Sequence, residues 1–173
     1  RVTVSGDVRL ILADGWELTI DGGIQVAHPN SLTIYGQSEG SGRLTATAPA
    51  ESNIYHAAIG GSTNVQIWEV NYCGSVTING GDVTATGGDA SSGIGGGPVS
   101  GGKIVINGGT VTATGGNNAA GIGGGMQGNG GSVTINGGTV MANATADAIC
   151  TGRGGSITIN GGDVTARGGV NNF

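Results

Sequence analysis

Apolar and polar residues alternate in short segments along this chain, and pairs of glycines separate the segments. In the segment TVTATGG, Val111 and Ala113 point to one side of a strand and the threonines point to the other. The segment SVTINGG alternates in the same way, with Val76 and Ile78 on one face. Glycine pairs supply the positive φ that tight corners need. The pattern therefore predicts short β-strands joined at corners, and no substantial α-helix.

The segments recur in a fixed order, which indicates a structural repeat. The first segment, of the type SVTINGG, begins at Ser75, Lys103, Ser132 and Ser156. The second segment, of the type TVTATGG, begins at Asp82, Thr110, Thr139 and Asp163. The third segment is GIGGG at Gly93 and Gly121, and it degenerates to AICTG at Ala148. The isoleucines that mark the first segment are 28, 29 and 24 residues apart. One repeat is therefore a unit of three short strands.

Three short strands cannot bury an apolar face alone, whereas stacked units bury a continuous core. We therefore predict an all-β fold: a single-stranded parallel β-helix with three short strands per coil and about five to six coils. The stacking predicts four interior columns, namely Val76/Ile104/Val133/Ile157, Ile78/Ile106/Ile135/Ile159, Val83/Val111/Val140/Val164 and Ile94/Ile122/Ile149.

The N-terminal part repeats less regularly. Residues 31–61 match a diverged coil, and residues 8–28 supply three more strand-like segments. The stretch NVQIWEVNYC has no counterpart, so we interpret it as an insertion or an extra strand. The prediction is one domain, 1–173, with irregular coils over 1–73, an insertion near 64–73 and regular repeats over 74–173.

Several of these segments resemble a known family. The stretches VSGDVRLILADGWELTIDGGIQV and SLTIYGQSEGSGRLTATA, followed by repeats of GIGGG and VTINGGTVTATGG, are similar to the repeat region of large surface proteins of anaerobic gut-type Gram-positive bacteria. The resemblance covers nearly the whole chain. It implies an extracellular β-helix module concerned with adhesion or carbohydrate binding, and it brings no catalytic residues. The chain opens on the strand-like RVTVSGDV, so we expect its signal and wall anchor to lie outside this fragment.

The composition of the chain narrows the classes of molecule that we expect it to bind. The net charge is −5 with only six Lys and Arg residues, so there is no basic stripe for a phosphate backbone and we expect no nucleic acid. No apolar run approaches the roughly 18 residues of a membrane span, so we expect no membrane insertion. Val, Ile and Thr alternate and only 10% of residues are charged, which argues against disorder. The two cysteines, Cys73 and Cys150, lie in different repeats, and we predict two buried, free thiols.

Three kinds of chemistry can be weighed from the motifs. GIGGG runs into a strand and not a helix, so it does not match a nucleotide-binding loop. Asp82 and Asp163 occupy equivalent positions with threonines between them, and no base lies beside them, so no lyase or hydrolase site emerges. GGDVTATGGDA matches the calcium β-roll only superficially. We expect no enzyme and no cofactor, and structural calcium is possible without being indicated.

An ice-binding surface is a further alternative. Thr-x-Thr pairs at Thr45/Thr47, Thr84/Thr86 and Thr112/Thr114 would form two columns on a stacked sheet. The array breaks at Met141 and at Arg167, and threonine is in any case a good exposed strand residue.

Aromatic residues are few and unevenly placed. Trp16, Tyr35, Tyr55, Trp68 and Tyr72 all lie in the first 73 residues, and the remainder holds only Phe173. Sugar rings stack on Trp and Tyr faces, while nearby polar groups fix their orientation. We therefore predict a ligand-binding patch where the repeat is broken, formed by Tyr55, His56, Trp68, Glu69 and Tyr72. The structural alternative is that Trp68 covers the N-terminal core, or that Trp16 caps the end of the solenoid.

The leading functional hypothesis is a non-enzymatic module of a bacterial surface protein, extracellular or attached to the cell wall. Its partner would be a glycan or a protein of a host or cell surface. The alternatives are a purely structural spacer, a polysaccharide lyase or hydrolase, and an ice-binding protein. The sequence does not define the oligomeric state.

Overall fold

The computed structural model describes residues 1–49, 54–64, 66, 69–99, 101–125, 131–152 and 154–169. The strands of the first two coils are β1 (Val2–Thr3), β2 (Asp7–Leu12), β3 (Glu17–Asp21), β4 (Ile24–Gln25), β5 (Ser31–Gly36) and β6 (Arg43–Thr47). The next are β7 (Ile54–His56), β8 (Ile59–Gly60), β9 (Ser62–Asn64), β10 (Glu69–Asn71), β11 (Ser75–Ile78) and β12 (Asp82–Thr86). The last are β13 (Ile94–Gly95), β14 (Lys103–Ile106), β15 (Thr110–Thr114), β16 (Ile122–Gly123), β17 (Ser132–Ile135), β18 (Thr139–Asn143), β19 (Ile149–Cys150), β20 (Ser156–Ile159) and β21 (Asp163–Arg167).

Three parallel sheets of six strands each form the walls of a solenoid. Sheet A contains β1, β4, β8, β13, β16 and β19; sheet B contains β2, β5, β11, β14, β17 and β20; sheet C contains β3, β6, β12, β15, β18 and β21. The chain visits A, B and C in turn in each coil, so each inner strand of these three sheets pairs with its counterparts in the coils before and after, and each edge strand pairs with one counterpart. The predicted all-β parallel β-helix with three strands per coil is confirmed. No helix in the described ranges is long and apolar enough to cross a membrane.

The strand register confirms the four predicted interior columns. Val76 pairs with Ile104, Val83 with Val111 and Ile94 with Ile122, and the same register continues through the later coils. Large side chains in the middle coils, such as Ile106 and Ile135, are fully buried. Burial of each such side chain contributes roughly 1.5 to 3 kcal/mol. The core is therefore a stack of aliphatic side chains along the solenoid axis.

The GIGGG segment is glycine-rich because successive coils approach closely at sheet A. Gly95 has a φ of 132°, and a Cβ added to it would collide with the carbonyl oxygen of Gly123 in the next coil. Gly95 therefore needs both its backbone conformation and its lack of a side chain. The neighbouring Ile94 points inward and fills the core, as the sequence predicts.

An asparagine ladder lies at the corner that follows sheet B. The side-chain amide of Asn107 donates to Asn79 Oδ1 at 2.7 Å, that of Asn136 to Asn107 at 2.8 Å and that of Asn160 to Asn136 at 2.7 Å. Amide side chains can donate and accept at once, so a parallel stack satisfies them from coil to coil. The sequence analysis did not predict this ladder, although each VTING-type segment contains its asparagine.

The apolar interior is less covered at both ends of the solenoid. At the C-terminal end Ile157 is 46% exposed and Ile159 52%, whereas their counterparts one coil earlier are buried. At the N-terminal end Val4, Leu10, Leu18 and other side chains of the first coil line an apolar cavity of about 470 Å³. Trp16 is 75% exposed and is not among the lining residues, so it does not cap that end.

Candidate functional site

The regular coils are interrupted by a three-stranded antiparallel sheet, here called the side sheet, made of β7, β9 and β10. β9 lies in the centre and pairs with both other strands. One row across the sheet consists of Tyr55, Thr63 and Val70. The next row contains His56, opposite Ser62 and Asn71. The stretch NVQIWEVNYC, interpreted from its sequence as an insertion or an extra strand, thus supplies β10. Its first residue, Asn64, is the last residue of β9.

The side sheet does not bring the predicted ligand-binding residues into one patch. Tyr55 is half-buried and shares a row with Val70, so it lies on the opposite face from Glu69. Glu69 is exposed, and its carboxylate accepts a hydrogen bond from Asn71 Nδ2 at 3.2 Å. Tyr72 follows the sheet and is 59% exposed. Trp68 lies outside the described residues.

His56 is buried, with 5% of its surface exposed. Nη1 of Arg1 lies 3.3 Å from His56 Nε2. Because a guanidinium group only donates, Nε2 must accept, and the neutral ring then has its proton on Nδ1. That Nδ1 is buried and has no hydrogen-bond partner. Burial, and secondarily the charge of Arg1, lower the pKa of His56 to about 4 from its ordinary value of 6.5. A neutral, buried imidazole is not positioned to contact a ligand at the surface, so any contribution of His56 to binding is indirect.

A second site lies at the corners between sheets A and B, and we call it the corner cavity. It has a volume of about 240 Å³ and is lined by His28, Pro29, Cys73, Gly74, Ser75 and Lys103. These residues come from three successive coils, because the corner that ends in Ser31 stacks under those that end in Ser75 and Lys103. The sequence analysis missed this site. The available signal was Lys103, the only lysine of the chain, at a position where the other repeats have serine.

The cysteine in the corner cavity is not a nucleophile. Cys73 is buried, and burial raises the pKa of its thiol to about 12, so the thiolate is scarce at neutral pH. Its sulfur packs close to Gly102, where an added Cβ would collide with it. Cys150 is only half-buried, contrary to the prediction of two buried thiols, because it lies in the last coil. Both cysteines are free, as predicted.

Carboxylates on the outer surface are spread along columns. Asp82 and Asp163 occupy one column of sheet C, with Thr110 and Thr139 between them. Three strand spacings of about 4.8 Å put the two carboxylates about 14 Å apart. Glycosidase pairs are about 5 to 9.5 Å apart. Within the part of the chain that the structure describes, no group of three or more His, Cys, Asp or Glu residues could hold a metal ion.

The fold and these surfaces define the class of protein: a parallel β-solenoid with an aliphatic core and a largely uncharged outer face. A family model described as a beta helix repeat matches residues 76–98, 104–126, 133–149 and 157–171. Each matched stretch begins at the second residue of a sheet B strand, so the family repeat and the coils have the same period. The described residues form a β-helix, and over the four matched stretches the repeats are similar to that family's. Comparisons with curated proteins and with solved structures gave no match.

Proposed function

We propose that this chain is a non-enzymatic, extracellular β-helix module that binds a carbohydrate or mediates adhesion. The observation on which the proposal rests is Tyr72, a tyrosine that is 59% exposed at the point where the regular repeat is broken. Tyrosine offers a large apolar ring at a low entropy cost, and sugar rings pack on such rings. Val2, Val8, Leu18, Ile157 and Ile159 belong to the interior columns and are exposed only because they lie at the two ends of the solenoid, whereas Ile11, Trp16 and Tyr35 lie, like Tyr72, on the outer surface.

The distribution of charge favours binding over catalysis. Acid–base cleavage of a polysaccharide needs two groups that face one bond. Asp82 and Asp163 are too far apart for that, and Asp82 is paired with Arg43 at 3.5 Å. Asp82 and Asp163 therefore do not form a matched acid and base.

The surface-protein role follows from the resemblance of the repeats to surface proteins of gut-type Gram-positive bacteria. A stack of coils about 4.8 Å apart gives a stiff, elongated body, which suits a module that projects from a cell wall. We propose a glycan or a host or cell-surface protein as the partner. The net charge of −5 supports the expectation that nucleic acid is not one.

A glycan array, followed by calorimetry on each hit, tests this proposal. We expect the wild type to bind at least one saccharide class and Tyr72→Ala to reduce the affinity about tenfold, since the packing of a ring on an aromatic side chain contributes on the order of 1 kcal/mol. Trp16→Ala is the matched control, because it removes another exposed aromatic side chain far from the side sheet. If no saccharide or surface protein is bound, or if both variants lose binding equally, the spacer hypothesis is the better one.

Ice binding is the second candidate function, because the threonines of the predicted Thr-x-Thr pairs are register partners on adjacent strands. Thr84 pairs with Thr45 and Thr112, and Thr86 pairs in the same way within its own column. The next coil has Met141 at this position, so the array of Thr-x-Thr pairs spans three coils, while Thr19 extends the column of Thr84 by one coil in the other direction. Thermal hysteresis of a concentrated solution is the test. Hysteresis that vanishes on Thr84→Leu would favour ice binding, and its absence from the wild type would exclude it.

A further inference from the structure

The corner cavity is lined by polar side chains that the fold itself does not use. Lys103 is exposed, and in the described part of the chain its ammonium group has neither an ion pair nor a hydrogen bond. The hydroxyl of Ser75 and the imidazole of His28 likewise have no partner among the described residues. Polar groups at a surface that lack a protein partner are solvated by water, and a ligand can displace that water. Three such groups line one cavity of about 240 Å³, which is the arrangement of a concave ligand site.

The chain topology holds these groups together. Ser75 and Lys103 are register partners on adjacent strands of sheet B, so their side chains lie side by side at a spacing of about 4.8 Å. The amide nitrogen of Lys103 donates to the carbonyl of Gly74 at 3.2 Å, which fixes the start of its strand. His28 is held by its own backbone amide, which donates to the carbonyl of Tyr72 at 2.7 Å.

Tyr72 belongs to the same surface. Ala27 and Cys73 form an antiparallel bridge, and this register puts Tyr72 directly opposite His28. Side chains opposite each other in an antiparallel pair lie on the same side, with Cβ atoms about 4.5 to 5.5 Å apart. The exposed ring of Tyr72 is therefore a cross-strand neighbour of a residue that lines the cavity. The aromatic residue of the proposed carbohydrate site and the unpaired cation are thus parts of one surface.

We infer that the corner cavity binds an acidic saccharide, with Lys103 on the sugar carboxylate, His28 and Ser75 on ring hydroxyls and Tyr72 against an apolar face of the ring. This inference rests on the proposed carbohydrate-binding function and names its ligand class. The cavity is smaller than the roughly 300 to 1,000 Å³ of sites for drug-sized ligands, so it suits one sugar ring of a longer chain. A single lysine is a point charge and matches one carboxylate, whereas phosphate sites are typically formed by several donors.

Calorimetric titrations with three carboxylated probes test the inference: oligogalacturonate, oligomannuronate and sialyllactose. Each probe has a neutral counterpart, namely the two carboxyl-reduced oligomers and lactose, and a sulfated galactan oligosaccharide is added as a second type of anion. The variants are Lys103→Gln, Lys103→Arg and Arg43→Gln. Arg43→Gln is the matched control, because it changes the net charge by the same amount outside the cavity. Circular dichroism verifies that each variant has the wild-type fold.

We expect at least one carboxylated probe to bind more than tenfold tighter than its neutral counterpart. Lys103→Gln should abolish that preference, Lys103→Arg should retain most of it, and Arg43→Gln should leave it within about twofold. Equal binding of neutral and acidic sugars that is insensitive to Lys103→Gln would overturn the inference and leave carbohydrate binding standing. A preference for the sulfated probe alone, or equal losses in Lys103→Gln and Arg43→Gln, would also overturn it. Absence of binding to every one of these sugars would overturn the inference, and the glycan array and surface-protein binding would still decide separately whether the proposed function stands.

Discussion

Acidification should destabilise this protein through His56. The ring is buried with its Nδ1 unpartnered, and its pKa is lowered to about 4 from 6.5. In the unfolded chain the same ring takes up a proton near its ordinary pKa. The free energy of unfolding that depends on a neutral His56 is therefore fully present above pH 6.5. It decreases as the pH falls from 6.5 toward 4, where the folded protein finally protonates as well.

The size of the effect follows from this difference in pKa. At about pH 5 the unfolded ring is almost fully protonated and the folded ring is about one-tenth protonated. The 1.5 pH units between 6.5 and 5, at about 1.4 kcal/mol per unit, correspond to about 2 kcal/mol. His56→Ser is the variant to compare, because Ser91 occupies the equivalent position of the next coil and serine does not titrate. The variant should lack this part of the pH dependence, whatever its stability at neutral pH.

Urea denaturation followed by tryptophan fluorescence measures the effect, because both tryptophans lie, like His56, in the first 73 residues of the sequence. From about pH 7.5 to about pH 5, the wild type should lose about 2 kcal/mol more than His56→Ser loses. His28→Gln, which changes the exposed histidine, should behave as the wild type. If the wild type and His56→Ser lose equal stability over this range, His56 is not a buried neutral ring and the structural argument fails.

Three further predictions concern the stacking of the coils. Gly95→Ala should lower the free energy of unfolding by more than about 4 kcal/mol or prevent folding, because the new Cβ would meet the backbone of the next coil. Gly15 has a φ of 74° and free space around it, so Gly15→Ala should lower the free energy of unfolding by only about 1 kcal/mol in the same urea titration. Ile106→Ala should lower the free energy of unfolding by about 2 to 5 kcal/mol and Ile159→Ala by well under half of that, because Ile106 is fully buried and its column mate Ile159 is 52% exposed; equal losses would contradict the column packing. Asn107→Ala removes two ladder hydrogen bonds and should cost about 1 to 2 kcal/mol, measured by thermal and urea unfolding, and an unchanged midpoint would show that the ladder adds no stability.

The regular coils could be predicted from the sequence because the same physical requirement repeats in each of them. Val or Ile must point inward in every strand, and glycine must lie where successive backbones meet. Four interior columns could therefore be aligned from the spacing of the repeats alone. The asparagine ladder could also have been found, since Asn79, Asn107 and Asn136 follow the same strand in successive coils, but asparagine after a strand is equally typical of an ordinary turn.

The candidate site could not be predicted in the same way, because it lies where the periodicity fails. Tyr55 and His56 are neighbours of the broken repeat in sequence, yet the antiparallel pairing of β7 with β9 buries His56 and turns Tyr55 away from Glu69. Such pairing depends on a local register that no second copy in the chain reveals. His28 joins the site only through a backbone contact with Tyr72, more than forty residues away.

The stacking of the coils also limits where charged side chains occur on the outer surface. An outward side chain in a parallel, in-register sheet has the equivalent side chains about 4.8 Å above and below it, and like charges at that distance repel. Outer columns therefore favour serine, threonine and asparagine, and a charge either has neutral neighbours, as Arg9 and Asp163 do, or lies beside a charge of opposite sign, as with Glu17, Arg43 and Asp82. Lys103 is of the first kind: its column neighbours are serines, and no ion pair joins it to a carboxylate among the described residues. The acidic ligand proposed for the corner cavity would place a carboxylate beside this cation, next to Tyr72 and His28.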